Sequence, residues 1–364
     1  MFRLLQLMAV LTVAFFSDET FAQIFDIKVT NYGFNTTANP QLKTIIDEQI
    51  ATIETDINKG LPSTDPDRLM EGMANSSVMA GKGIGTDYAS GMNVLLIGAG
   101  VGVGADLTKD KDTDGKLSGV NAASGVILGY NLGFMDTESI LGMNTDRLNM
   151  YLNFMSYGHD TSLSDKADEK SDASLDMTSG GVHFRYDWVK GAGNKFLGWG
   201  GVKFHFGYEY NKTDITFKST IKKKVEDDGL NGTINGAPEA KISTMTHSFP
   251  LALSTDVQIF YLLSLYGGIG ADYNMGKAKA KGSLNGDKSN IACSSGAACT
   301  GAGNPTIQVQ PQANINGTGN VNPFLFRGFA GLQINLPYIR IFGQVDKAFG
   351  NNLIGATAGV RFVY

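Results

Sequence analysis

The sequence predicts an all-β fold: an antiparallel sheet of about ten strands, within a range of about eight to fourteen, rolled into a transmembrane β-barrel behind short N-terminal amphipathic helices. Three observations carry that prediction. From about Met92 to the end, segment after segment alternates apolar and polar residues, and a strand sends alternate side chains to opposite faces. The links between segments alternate between tight turns and longer polar stretches. After the first 22 residues no apolar run is long enough for a spanning helix, which needs about 18 residues.

The elements follow in order. Arg3, the mostly apolar stretch Leu4 to Phe16, and Thr20-Phe21-Ala22 form a secretory signal with expected cleavage after Ala22. Residues 23–91 form an N-terminal helical segment. Pro40 opens a helix carrying Leu42, Ile45, Ile46, Ile50, Ile53 and Ile57 at three- and four-residue spacings, and Gly60 and Pro62 stop it. Asp65-Pro66-Asp67 opens a second, carrying Leu69, Met70 and Met73. Their apolar faces need a partner: each other, the barrel lumen or its periplasmic mouth.

Residues 92–364 form the barrel. Alternation places strands at 93–106, about 118–131, 146–157, 177–189, about 198–219, up to about 258, from about 264, about 318–335, 338–346 and at the terminus. The odd-numbered links are polar loops: KDKDTDGK, 158–174, about 220–236, about 282–316 and 347–351. The even ones are tight turns at 191–195, 259–263 and 336–338, with the longer 132–145 as the exception. Stretches 24–35 and 132–145 could add strands. Tyr130, Trp188, Trp199, Phe260, Tyr261, Tyr338 and Tyr364 collect beside the tight turns, as an interfacial girdle would. A soluble β-sandwich would alternate equally well, but it explains neither the girdle nor the loop asymmetry.

The last strand is the most informative. Ile354, Ala356, Ala358, Val360, Phe362 and Tyr364 share one face, while Thr357 and Arg361 lie on the other. A terminal strand ending on an aromatic resembles the closing strand of bacterial outer-membrane β-barrel proteins. That resemblance implies a Gram-negative outer-membrane location after export and a surface-exposed or porin-like role. It also implies lipid and lipopolysaccharide as surroundings, and a terminus (Val360, Phe362, Tyr364) read by the barrel-assembly machinery.

Composition agrees. The 46 glycines far exceed the usual share of about 7%, which suits tight turns and close strand packing. A net charge of −5 argues against nucleic acid as a partner. Cys293 and Cys299, in CSSGAAC, are expected to form a loop disulfide in an oxidising compartment.

Candidate chemistry is sparse. The run Gly98 to Gly104 has the glycines of a nucleotide loop but opens no helix. Its glycines line one strand face and leave room inside for a side chain or for the N-terminal helices. Asp110, Asp112 and Asp114 with Gly115 match the first half of a calcium loop. Position twelve is Asn121, so only weak calcium is expected in this outer loop, and no other cofactor. Asp160, Asp165, Asp168, Glu169 and Asp172 either hold divalent cations with lipopolysaccharide or form a solvated loop.

The inner face collects Arg147, His183, Arg185, Asp187, Lys203, His205, Glu209, Asp256, Asp272, Arg327, Arg340, Asp346 and Arg361. Such a set either fills a narrow lumen as a charge network or lines a polar pore. Outer-membrane proteases use acid pairs and acid–histidine pairs near the rim. His159-Asp160 has no matching second pair, so no catalytic residues are assigned and no enzyme is expected.

Overall fold

The computed structural model describes residues 28–31, 43–44, 47–48, 51, 66–89, 94–107, 119–166 except 136, 169–227 except 195, 230–286, 289–293 and 306–364. The chain order is β1 (Lys28–Asn31), a 15-residue luminal helix (Pro66–Ala80), β2 (Leu95–Asp106), β3 (Gly119–Asn131), β4 (Ser139–Ile140) and β5 (Met143–Asn144). Then come β6 (Leu148–Lys166), β7 (Glu169–Gly193), β8 (Leu197–Asp227), β9 (Leu230–Ile259) and β10 (Leu263–Gly286). The last are β11 (Ser289–Cys293), β12 (Thr306–Asn320), β13 (Phe324–Asn335), β14 (Ile339–Ala348) and β15 (Leu353–Val363).

Strands β2, β3, β6, β7, β8, β9, β10, β13, β14 and β15 pair antiparallel in that order, and β15 pairs back onto β2. A ring of about 10 strands results; its shortest ladder is that of β3 with β6, which runs from Val126↔Phe154 to Asn131↔Asn149. Closure gives each wall strand a ladder neighbour on both sides, which is how strands meet lipid. The last strand meets β2 at the seam: the Tyr364 N–H donates to the Leu95 carbonyl at 2.9 Å, and Phe362 pairs with Ile97.

Each expected strand of the barrel is present, and the alternation sets its faces. Ile97, Leu128, Phe154, Leu251, Ile269, Phe326 and Val345 point outward and are exposed, whereas Arg185, Lys203, Asp256, Asp272, Arg327, Asp346 and Arg361 point inward and are buried. The polarity is the reverse of a soluble sandwich and suits lipid outside. No helix among the described residues is long and apolar enough to cross a membrane.

The wall is uneven in height. β14 and β15 have 10 and 11 residues, enough for one bilayer crossing. β8 and β9 have 31 and 30, so they stand well beyond it. Here the structure corrects the sequence reading. The stretches 158–174, 220–236 and 282–316, expected as loops, are largely strand: β6 pairs with β7 up to Lys166↔Glu169, and β8 with β9 up to Asp227↔Leu230. Two neighbouring strands continue their ladder regardless of side-chain polarity, and outside lipid the apolar face is no longer the outer one. Leu175, Ile215, Ile242, Ala278 and Ala280 point inward there. The alternation therefore changes sense along each tall strand, which erases the simple signature.

The expected strand at 318–335 is two strands. β10 pairs with β13 through Tyr273↔Phe324 and with β12 from Lys277↔Asn320, the break falling at 321–323. Pro323 has no N–H to carry a ladder through that point. Neither optional stretch joins the ring: β1 pairs with β12 above it, and β4 and β5 form a separate two-stranded sheet. Near the turn end a bulge shifts register between Trp199 and Val202, which lets both face outward; Gly201 supplies the positive φ of 84° that this requires. Of the first expected helix, only 43, 44, 47, 48 and 51 are described, and all are helical.

Candidate functional site: a lumen filled by the chain itself

The luminal helix and residues 81–89 run inside the ring. The direction of travel is set by contacts. Pro66 lies against Gly317 of β12, Gly72 and Met73 against Gly119, Ala80 against Gly102, and Ile84 near Gly100 and Gly125. The chain thus enters at the long-hairpin mouth, descends, and joins β2 at the tight-turn end.

The inner wall is cut to fit this segment. A Cβ added at Gly104 would stand 2.0 Å from the Ser76 carbonyl oxygen, and one at Gly102 would stand 2.2 Å from that of Ala80. At Gly319 it would meet the Glu71 nitrogen at 1.9 Å. Only hydrogen permits such approach, so the glycine run of β2 seats a backbone. Higher up, Leu69, Met70, Met73, Ala74 and Val78 pack on Leu175, Ile215, Ile242, Ala278 and Ala280. The helix has apolar wall around its upper turns because the wall has changed sense there.

Below the helix the contacts become ionic. The Lys82 ammonium donates to Glu209 at 2.7 Å and to the Ser248 hydroxyl at 2.9 Å, and lies 3.4 Å from Asp272. The Asp87 carboxylate accepts from Arg340 at 3.1 Å and faces Arg361 at 3.4 Å, while Arg185 donates to the Asp87 carbonyl at 2.9 Å. Arg327 bridges Asp272 at 2.9 Å and Asp346 at 2.6 Å. Lys203 pairs with Asp256 and donates to the Ala89 carbonyl at 2.7 Å. Tyr88 packs among Phe329, Tyr266 and His205. Buried charges are tolerable only when paired and hydrogen-bonded, and here each sign on the segment meets the opposite sign on the wall.

Most residues anticipated for the inner face are brought together here: His183, Arg185, Lys203, His205, Glu209, Asp256, Asp272, Arg327, Asp346 and Arg361 are all buried. Asp187 pairs with Arg185 at 3.2 Å nearer the tight-turn end. Arg340 is partly exposed. Arg147 lies in a 3-10 turn (Thr145–Arg147) before β6. Asp110, Asp112, Asp114 and Cys299 lie outside the described residues, and Cys293 ends β11. Asp160 and Asp172 sit in paired strands, not a loop. His159 and Asp160 alternate on β6, so they face opposite sides and cannot share a proton. Among the described residues no cluster of three or more His, Cys, Asp or Glu could hold a metal.

Sequence reading missed Lys82 and Asp87, the centre of the network. They lie in AGKGIGTDY, which has neither helical nor strand periodicity. A lysine and an aspartate in a glycine-rich stretch directly before an even barrel were the available signal.

A lipid-facing closed ring around a polar, chain-filled interior defines an outer-membrane β-barrel protein. Within that class, a family profile described as Lsa36-like matches residues 21–364, and the chain belongs to that family. Among solved structures it is similar to the translocator domain of the autotransporter NalP from Neisseria meningitidis, with 11% identity over 91% of this chain and 100% of that one and a TM-score of 0.30. It is also similar to the transport unit of AIDA-I from Escherichia coli, with 10% identity over 79% and 96% and a TM-score of 0.28. For Ail of Yersinia pestis the figures are 12%, 75%, 100% and 0.19. Comparison with curated proteins gives no match.

Proposed function

We propose that the protein is a closed wall element of the outer membrane with a structural, surface-exposed role, its lumen plugged by residues 66–89. The observation that carries this reading is the fit between the luminal backbone and the glycines of β2. A segment seated at side-chain-free distance, and tied below by ion pairs, occupies the space through which a polar path would run. Tight turns facing the periplasm and long hairpins facing outward are the rule for such barrels. In that orientation the tall walls of β7 to β10 and the pairing of β1 with β12 present a broad surface outside the cell. Export by the N-terminal signal, assembly through the terminal strand, and a resident environment of lipid and lipopolysaccharide belong to the same reading. It assigns no cofactor and no catalytic step.

The test is conductance of the mature chain in planar bilayers. The full chain is expected to be silent, and a chain lacking residues 66–89 to conduct. Steady current through the intact protein would favour the second reading, a narrow channel for small polar solutes. The charged wall that residues 66–89 now cover is the observation behind that alternative.

A further inference from the structure

The outer surface of β8, β9 and β10 changes character within a few residues. Tyr208, Phe249, Tyr273 and Phe324 form an outward row, with successive ring centroids 5.3, 6.4 and 5.2 Å apart. Aromatic rows of this kind mark the lipid–water boundary. Directly beyond it come Met245 and Met275, both exposed, and then lysines. Lys277, Lys279 and Lys281 are exposed on β10, while Ala278 and Ala280 between them are buried against the luminal helix, which fixes the lysines outward. Pairing aligns Lys277 with Met245, Lys279 with Ser243, and Lys281 with Lys241. On the far side of β9, Lys212 aligns with Met245.

Two acids border this patch, and each is engaged by a lysine other than Lys241, Lys277, Lys279 and Lys281. Glu239, exposed two residues from Lys241 on the same face of β9, lies 3.7 Å from Lys218, and Asp214 bonds Lys212 at 3.0 Å. Burial would raise its carboxyl, but hydrogen bonds from Ser243 and Lys212, with the charge of Lys241, hold it below the usual carboxylate range. It therefore stays ionised and occupied. On the other flank, Asn316, Thr318 and Asn320 of β12 are exposed and neutral. Two further acids are exposed on β7, one strand beyond, where Asp176 pairs with Asp214 and Asp172 with Lys218.

Position decides what such a patch meets. At about 3.3 Å per residue, and with the usual strand tilt, Lys277 stands roughly 10 Å above the Tyr273 ring, Lys279 roughly 15 Å, and Lys281 with its pair Lys241 roughly 20 Å. Lys277 borders the headgroup layer, about 5–8 Å thick on each side of the hydrocarbon core, and the other three rise over it, level with the phosphorylated saccharide that an outer-leaflet lipid carries. The lysine stems can lie along the wall while the ammonium groups meet anions beside it. We propose that Lys241, Lys277, Lys279 and Lys281 form a docking surface for the phosphate groups of a phosphorylated outer-leaflet lipid, whose acyl chains lie on the apolar belt below. The inference rests on the membrane-spanning wall and not on the plugged lumen.

The test uses the mature full chain in non-ionic micelles, titrated with diphosphoryl lipid A and, separately, with lipid A stripped of its phosphates; bound lipid is read by native mass spectrometry. The intact form is expected to bind and the stripped form not, with binding falling as salt rises. Replacing all four residues (Lys241→Gln, Lys277→Gln, Lys279→Gln, Lys281→Gln) is expected to weaken binding by about tenfold or more. The corresponding Lys→Arg set is expected to retain it, and Asp172→Asn with Asp176→Asn to leave it unchanged. Heat-dependent gel mobility verifies that each variant is folded; should the glutamine set not fold, Lys279→Glu with Lys281→Glu makes the same comparison. Equal binding of stripped lipid, or full binding by the folded charge-lost variant, overturns the proposal. So does heparin or inorganic phosphate displacing the lipid at concentrations below the lipid's own, since the ligand would then be a soluble anion.

Discussion

At the residue scale the lumen is governed by what is absent from glycine and what cannot be absent from a charge. Gly104→Val places methyl groups where the Ser76 carbonyl sits. Overpacking of this kind costs about 1–3 kcal/mol. The expected outcome is a barrel that still folds, melts lower, and conducts because its helix has been displaced; melting and single-channel recording check it together. Lys82 is the opposite case. Lys82→Met leaves Glu209 buried beside an uncharged side chain, and breaking a buried pair costs up to about 3–5 kcal/mol. The double variant Lys82→Met with Glu209→Gln should recover much of the loss, because the orphaned charge goes too. A double-mutant cycle on thermal unfolding reads this coupling.

At the scale of elements, legibility followed physical simplicity. The strands of the barrel were readable because inside lipid one face must be apolar, and β14 and β15 carry that constraint from end to end. The tall parts of β8 and β9 were not, because above the membrane the apolar face turns inward, toward Leu69 and Met73. The luminal helix was legible from Asp65-Pro66-Asp67 and its spaced Leu and Met residues, but its place was not, since periodicity names an apolar face and not its partner. The charged wall residues were legible as a set; Lys82 and Asp87, which organise them, were not, because an irregular segment has no period to read. One prediction belongs here. The helix starts at the long-hairpin mouth, so a protease site placed at residues 60–64 should be cut in intact cells. A site placed in the 336–338 turn should be cut only after the outer membrane is breached. Equal protection of both sites would contradict the orientation.

For the whole molecule, closure is the main source of robustness. Every wall strand has two neighbours, and the last residue reaches the first strand at the seam. The folded chain should therefore migrate faster on gels unless boiled, and should resist protease while its seam is intact. Removing Phe362 to Tyr364 deletes the pairing of Phe362 with both Ile339 and Ile97. Such a chain is expected to accumulate unassembled, seen as loss of the heat-dependent band and of extraction with the envelope. Normal assembly would show that closure tolerates a gap at its final rung.

The direction of the luminal segment carries one more consequence. Residue 94 lies at the tight-turn end and Pro66 at the opposite mouth, while β1 lies outside the ring against β12. Between β1 and residue 94 the chain therefore passes from one end of its own barrel to the other. A backbone seated against glycine leaves no clearance for such a transit once the hoop is complete. The crossing must happen while the hoop is still open, with the first and last strands joining behind the threaded chain like a zip drawn shut over a cord.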